Sequence, residues 1–269
     1  YEWNFGVSWG WKKYDSQLNP RNMVVGSMMN AYINLGWLLN WQINNDWRLT
    51  AGVDVTHFSN GNTHYPNAGV NTVGGRVSLI RTFGTHSYRT SVESRRKARA
   101  EIERYFSYDV VLYGATRRKG IIWPDDRVLV PGAFGVAGIN INPMYNLNAC
   151  FRAGISLDAQ YDESANIKDH VVGDDRSAEN IRFYRPPFRE QFGVGLSLRA
   201  ELVMPIFSIN LGVGHNVFYQ GEDLKGFYQI AALKTSITRR LFLHVGYQLR
   251  NFKDPNNLML GLGYRFNGR

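Results

Sequence analysis

Alternation of apolar and polar residues runs through most of the chain and limits its fold more than any other feature of the sequence. Successive side chains of a β-strand point to opposite faces, so a period of two residues predicts strands with one apolar and one polar face. The stretch 147–161 is the clearest case: every odd position is apolar or aromatic, and the even positions hold Asn, Cys, Arg, Gly, Ser, Asp and Gln. The sequence therefore predicts an all-β protein.

Twelve stretches follow this pattern, an even number. They lie near residues 1–13, 24–43, 47–59, 70–83, 105–116, 127–142, 147–161, 190–203, 207–216, 227–237, 241–250 and 258–266. Most are long enough for a transmembrane strand, which needs about 9–11 residues. Their polar faces include Arg, Asp and Glu, which suit a lumen better than the dry core of a sandwich, and closure removes exposed sheet edges. We therefore expect residues 1–269 to form one domain, a transmembrane antiparallel β-barrel of about twelve strands of the outer-membrane type.

The composition agrees with a barrel. The single cysteine, Cys150, excludes an internal disulfide, and no run of apolar residues is long enough for a transmembrane helix. The mean hydropathy is negative, as expected when polar lumen residues cancel apolar outer ones. No charged and apolar leader opens the chain, so we expect any signal peptide to have been removed.

Two long connections interrupt the alternation. Residues 84–103 are rich in Arg and Lys and predict a basic, helical insert on the periplasmic side, for which a solvated connection is the simplest interpretation. Residues 162–189 predict a long extracellular loop, because outer-membrane barrels have short turns inside and long loops outside. A basic triplet, Arg117-Arg118-Lys119, falls in another predicted outer loop. It could attract the phosphates of lipopolysaccharide or simply be a solvated surface.

A candidate catalytic group lies at the outer end of the third predicted strand. His57 and Ser59 share one face, at the end of the apolar stripe of Val53 and Val55, and Asn71 joins them if the next strand is in register. A hydroxyl, an imidazole that takes its proton and a third group that orients the imidazole form the arrangement of serine hydrolases. The pattern thus favours an esterase that acts on a lipid.

Backbone N–H groups of the turn Asn60-Gly61 could stabilise the oxyanion of such a reaction. An interpretation without catalysis is also open, because aromatic residues and His anchor strands at membrane interfaces and Ser-Asn-Gly is common in turns. His64 is expected to be exposed in the loop. His215 falls on another lipid-facing stripe, so a histidine on that face need not be catalytic.

The segments His57–Gly61 and Pro66–Asn71 together resemble the signature of the outer-membrane lipid A 3-O-deacylases of the PagL type, also called acyloxyacyl-hydrolase-like proteins. The resemblance implies a barrel in the outer membrane of a Gram-negative bacterium, with an active site on its exterior in the outer leaflet. It implies hydrolysis of an ester-linked acyl chain of lipid A without a metal or other cofactor. It also implies Ser59 as nucleophile and His57 as base, with Asn60 and Gly61 near the oxyanion.

Two features depart from that family. Its better-known members have eight strands in a shorter chain, and Asn71 stands where they have Glu. An Asn carbonyl can still accept the ring N–H of His57, but it lacks the charge that stabilises the imidazolium. Asp54 is no substitute, because it is expected to face the lumen. We therefore expect a weak or differently tuned esterase that acts on lipid A, lipopolysaccharide or another outer-leaflet lipid.

Two further interpretations stay open. The chain could be a catalytically inactive barrel that binds lipid and acts as a structural subunit of an outer-membrane assembly with protein partners, as the basic insert and the missing carboxylate suggest. A small pore is disfavoured, because charged residues could fill the lumen with ion pairs: Arg48, Arg76, Arg152, Arg199, Asp54, Asp158 and Glu201. No nucleic-acid partner is expected.

Overall fold

The computed structural model describes residues 1–61, 63–66, 68–83, 104–122, 127–172, 182–204, 207–252 and 254–267. The chain divides into two compact units, Tyr1–Ile102 and Glu103–Arg269. The expectation of a single domain stays a prediction. The predicted basic insert at 84–103 lies outside the described residues.

The first unit is an open antiparallel sheet of four strands that follow one another in chain order. They are β1 (Glu2–Trp9), β2 (Met29–Gln42), β3 (Trp47–Ser59) and β4 (Val70–Arg81). The turn between β2 and β3 is closed by Asn44, whose side-chain oxygen accepts the N–H groups of Asp46 and Trp47 at 3.0 and 2.9 Å. Such Asx turns are a common end for a strand, and the predicted bounds of β3 are confirmed.

The two faces of this sheet differ sharply in polarity. One face carries polar side chains, including Asn34, which donates to Thr56 Oγ1 at 2.8 Å and accepts from Asn4 Nδ2 at 3.0 Å. The other face is apolar and exposed; Val73, for example, is 78% exposed and Trp37 58%. A strand face of this kind is typical of a surface that contacts lipid.

The second unit contains the remaining strands. They are β5 (Tyr105–Arg117), β6 (Gly120–Ile122), β7 (Arg127–Leu129), β8 (Phe134–Asn148), β9 (Phe151–Asp162), β10 (Val171–Val172), β11 (Arg182–Phe183), β12 (Phe192–Val203), β13 (Phe207–Phe218), β14 (Phe227–Ser236), β15 (Leu241–Arg250) and β16 (Asp254–Phe266). Eight of them form a closed barrel in the order β12-β13-β14-β15-β16-β5-β8-β9, whereas β6 pairs with β7 and β10 with β11. All neighbours in the barrel are antiparallel, as predicted.

The interior of this barrel holds buried ion pairs beside a buried apolar cluster that includes Val111 and Met259. Arg152 contacts Asp109 at 3.1 Å and Glu201 at 2.9 Å, and Lys234 contacts the same two carboxylates at 3.1 and 2.6 Å. A second buried pair joins Arg199 and Asp158 at 2.7 Å. The outer face is apolar, with exposed residues such as Leu112, Ile155, Leu198 and Leu211. An apolar exterior around a polar interior is the arrangement expected of a membrane barrel.

The prediction of about twelve strands in one ring is not confirmed. The ring closes with eight strands, because β16 pairs with β5 along residues 260–266 and 108–114. Alternation shows which segments are strands, but it carries no information about which strands are neighbours. The number of strands in a ring therefore could not be read from it.

The sequence places the turn between the stretches 127–142 and 147–161, and this placement is wrong. Strand β8 continues through Pro143 to Asn148, and the turn follows at Ala149 and Cys150. Gly154 on the neighbouring β9 leaves room for this path, since a Cβ added there would lie 2.1 Å from the carbonyl oxygen of Pro143. A proline lacks a backbone N–H and usually indicates a strand end, which explains the error.

The predicted extracellular loop at 162–189 has structure of its own. Its described parts hold a 3-10 helix (Ile167–His170), β10 and β11, and the helix α1 (Phe188–Gln191) begins near its end; residues 173–181 lie outside the described ranges. Asp223, from the loop between β13 and β14, accepts from the N–H of Asn166 at 3.1 Å. Placement of these segments on the extracellular side stays a prediction.

Two members of the basic triplet are engaged in ion pairs. Arg117 contacts Asp162 at 2.9 Å, and Lys119 contacts Asp223 at 2.8 Å. Burial alone would raise the pKa of Asp223, but the charge and hydrogen bond of Lys119, the N–H of Asn166 and the charge of Arg250 together outweigh it and hold that pKa below its usual value of 3.8. A phosphate-binding role for the whole triplet is thus disfavoured. Among the described residues, no helix is long and apolar enough to cross a membrane.

Candidate functional site

The register of the first sheet brings the predicted site residues together. His57 on β3 lies opposite Asn71 on β4 and opposite Ile33 on β2. Ser59, the last residue of β3, lies two positions further along the same face, opposite Ala31. The three residues therefore lie on two paired strands, β3 and β4, and paired strands hold the backbone of a site more firmly than a loop would.

A continuous chain of hydrogen bonds joins the three side chains. Ser59 Oγ lies 3.0 Å from His57 Nε2, and His57 Nδ1 lies 2.7 Å from Asn71 Oδ1. An amide oxygen can only accept, so Nδ1 carries the proton and donates to it. Nε2 is then the acceptor of the Ser59 hydroxyl proton. This is the arrangement of a nucleophile, a base and an orienting group.

The surroundings of this chain are apolar and open. Val55, Ile33 and Val73 neighbour it on the same face, and they are 38%, 37% and 78% exposed. Apart from Arg81 at the far end, His57, Ser59 and Asn71 are the only polar side chains on this face of the four described strands. A polar group of this kind at the end of an apolar stripe has no structural role that the sheet itself requires.

The turn after Ser59 is closed by its own side chains. Asn60 is buried and donates from Nδ2 to the carbonyl oxygen of His64 at 3.0 Å, and Thr63 Oγ1 donates to the Asn60 carbonyl at 2.9 Å. Gly61 has a φ of 63°, in the left-handed region that glycine adopts without strain. These two hydrogen bonds hold Asn60 next to the nucleophile, where an oxyanion site would need it.

Two glycines shape the backbone near the site. Only Gly69 belongs to the motif found in the sequence. Gly69 has a φ of 70°, and a Cβ there would lie 3.2 Å from the Phe58 carbonyl oxygen and 3.4 Å from His57 Cε1. Gly26, in the loop between β1 and β2, packs directly on the Tyr65-Pro66 peptide, since a Cβ there would lie 2.5 Å from the Pro66 carbonyl oxygen. Nothing in the sequence near Gly26 indicates this contact. The motif residue Asn67 lies outside the described residues.

Other polar residues considered from the sequence make different contacts and are not part of this hydrogen-bonded chain. The imidazole of His64 is exposed and lies near Thr63 Oγ1 at 3.2 Å. His215, on β13, packs edge-on against Phe227 at 5.0 Å between ring centroids. Asp54 lies on the opposite face of β3, as expected, with its carboxylate 4.0 Å from Arg76. Across the described ranges, no group of three or more His, Cys, Asp or Glu residues could hold a metal ion.

Comparison with protein families gives two matches. The model of the acyloxyacyl hydrolase C-terminal domain matches residues 106–268, which is more than half of the chain, and that of lipid A 3-O-deacylase (PagL) matches residues 1–79. The chain belongs to the PagL family. The resemblance of its motif is thereby confirmed, and the motif lies within the segment matched by the deacylase model.

Membership makes the protein an integral β-barrel of the outer membrane and a member of a family of lipid A hydrolases. A search of curated proteins found no match. Among solved structures, Ail of Yersinia pestis in complex with sucrose octasulfate is similar at 20% identity, with a TM-score of 0.34, over 60% of this chain and 98% of that one. Ail in a phospholipid bilayer nanodisc is similar at 19% identity, with a TM-score of 0.33, over 60% and 99%.

Proposed function

We propose that this PagL-family protein is an outer-membrane esterase that removes an ester-linked acyl chain from lipid A through a Ser59–His57 site on its lipid-facing exterior. The observation that carries the proposal is the hydrogen-bonded chain from Ser59 through His57 to Asn71, with its links of 3.0 and 2.7 Å. Its place on an exposed apolar face supports a substrate that is already in the membrane.

In the proposed reaction, Ser59 Oγ attacks the acyl carbonyl carbon while His57 Nε2 takes the hydroxyl proton. The tetrahedral intermediate then collapses: the bond to the sugar oxygen breaks, and His57 returns the proton to that oxygen. Water, activated by the same imidazole, then hydrolyses the acyl ester on Ser59 and releases the fatty acid. The only side chains that take part in proton transfer, Ser59 and His57, already lie 3.0 Å apart.

Backbone N–H groups of Asn60 and Gly61 are proposed to stabilise the oxyanion. The side-chain amide of Asn60 already donates to the carbonyl oxygen of His64, so in this proposal it stabilises the turn and not the oxyanion. Burial of both residues supports this role, because a donor shielded from water stabilises a developing charge more strongly.

Asn71 is proposed to orient His57 rather than to stabilise its charge. Its oxygen holds Nδ1–H and so keeps Nε2 free to accept the serine proton. A neutral amide adds little electrostatic stabilisation to the imidazolium that forms in the transition state. A slow esterase is therefore expected.

The neutral amide at position 71 also favours a second function, lipid binding without turnover in an outer-membrane assembly. Under that alternative, the apolar face would hold an outer-leaflet lipid and Ser59 would be no more reactive than any other serine. The two functions differ in one property that can be measured directly, the nucleophilicity of Ser59.

The test is reaction of the detergent-folded protein with a short alkyl fluorophosphonate, followed by intact mass and peptide mapping. We expect a single adduct on Ser59 in the wild type, much slower labelling in His57→Ala and none in Ser59→Ala. Ser78→Ala is the matched control, because Ser78 lies on the opposite, polar face of β4 and should leave the adduct unchanged. No adduct in the folded wild type would refute the esterase and favour the lipid-binding function.

A further inference from the structure

Ser59 lies in a row of unusually small side chains that crosses the sheet. The register places it opposite Ala31 on β2, and Ala31 opposite Val7 on β1. On its other side is Gly69, where a Cβ would lie 3.7 Å from Ser59 Cβ. Larger residues fill the adjacent rows of β2, Met29 on one side and Ile33 on the other. The nucleophile thus has a small residue on each side, but only the side of Ala31 is open, because a Cβ at Gly69 would already lie 3.2 Å from the Phe58 carbonyl oxygen.

The two sides of Ser59 also differ in polarity. The hydrogen-bonded chain leaves Ser59 toward β4, since His57 on β3 contacts Asn71 on that strand. On the side of β2, none of the side chains on this face of the sheet is polar, and Ala31 itself is exposed. An apolar group bonded to the reacting carbonyl therefore meets no polar group on the side of Ala31.

Beyond Ala31 the surface is apolar and accessible. Val7 is 68% exposed, Met29 59%, Trp9 52% and Ile33 37%. Together these four residues and Ala31 form a shallow apolar surface on β1 and β2 that begins at the nucleophile. Flexible Met and flat aromatic side chains adapt well to a hydrocarbon chain.

We propose that the acyl chain of the substrate leaves Ser59 through the gap at Ala31 and lies over this surface, so that Ala31 determines which acyl lengths are cleaved. This rests on the proposed esterase function and adds to it the direction of the acyl chain and a residue for specificity. A larger side chain at position 31 closes the gap for a long chain, whereas an acetyl group never reaches it.

The test uses p-nitrophenyl esters from acetate to myristate with the detergent-folded wild type, Ala31→Val and Ala31→Leu. We expect Ala31→Leu to lower kcat/KM for myristate about tenfold or more and to leave acetate within about threefold, with Ala31→Val between them. Ala51→Leu is the matched control, because Ala51 lies on the same face, opposite Leu39 and Val77 and away from Ser59. It should retain the wild-type profile.

Fluorophosphonate labelling of Ser59 in each variant separates the esterase function of Ser59 from the role of Ala31 in acyl-length specificity. If Ala31→Leu keeps the wild-type dependence of kcat/KM on acyl length and Ser59 is still labelled, the proposed path of the acyl chain past Ala31 is wrong, whereas the esterase function is retained. An equal loss for acetate, myristate and labelling also overturns that path, since Ala31 would then act on the nucleophile itself. Absence of labelling in the wild type refutes the esterase and, with it, the gap.

Discussion

Replacement of Asn71 by Asp should make the enzyme faster. The two side chains have the same length, so a carboxylate oxygen takes the place of Oδ1, 2.7 Å from His57 Nδ1. A hydrogen bond to a charged group contributes about 1.5–3 kcal/mol, against about 0.5–1.5 kcal/mol for a neutral one. The middles of these ranges differ by about 1.3 kcal/mol, which corresponds to about a tenfold increase in kcat at low salt, and because Asn71 is exposed, screening by salt reduces this gain.

The assay is hydrolysis of p-nitrophenyl butyrate by the folded protein at low and high ionic strength. Asn71→Asp should exceed the wild type by about tenfold at low salt and by less at high salt, and Asn71→Glu should change the rate in the same direction. Asn71→Ala is the control and should be slower than the wild type, because His57 loses the acceptor that orients it. Equal rates for Asn, Asp and Ala at position 71 would refute the orienting role.

Three further predictions concern the turn, the barrel interior and a loop. Gly69→Ala should lower kcat about tenfold or more with the fold retained, because the left-handed backbone becomes strained and the new Cβ crowds the imidazole. The esterase rate measures the loss of activity, and the shift in gel mobility on heating shows whether the barrel is folded. Lys234→Met should destabilise the barrel by about 3 kcal/mol, because Asp109 and Glu201 lose one buried cation and keep Arg152, whereas exposed Lys225→Met should cost less than about 1 kcal/mol, measured by urea unfolding in micelles. The lowered pKa of Asp223 means that its stabilisation is present above its unfolded pKa and is lost as the pH falls through the folded value, so Asp223→Asn should be less stable than the wild type at about pH 6, and the difference should shrink as the pH is lowered.

The strands and the site could be predicted from the sequence because both depend on local periodicity. Trp47–Ser59 and Leu241–Arg250 have the predicted bounds, since each is a clean alternation between turn residues. A period of two also places His57 and Ser59 on one face, whereas Asn71 joins them only because β3 and β4 pair in the register assumed for them. The lumen ion pairs of Arg152 and Arg199 follow from the same alternation.

The rest depends on contacts between distant segments, which periodicity does not encode. The pairing of β16 with β5 closes the barrel at eight strands, and no local pattern indicates that pairing. Pro143 looks like a turn unless the space beside Gly154 is known. The packing of Gly26 on the Tyr65-Pro66 peptide is likewise visible only in three dimensions. These are the points at which a long-range contact outweighs a local signal.

Mass spectrometry of lipid A after incubation with the folded protein tests the central claim most directly. The wild type should release one ester-linked acyl chain as a free fatty acid and leave a lipid A product lighter by that chain. Ser59→Ala should leave lipid A intact, and Ser78→Ala should match the wild type. If lipid A loses no acyl chain with the wild type, or loses it equally with Ser59→Ala, the proposed Ser59 esterase is wrong.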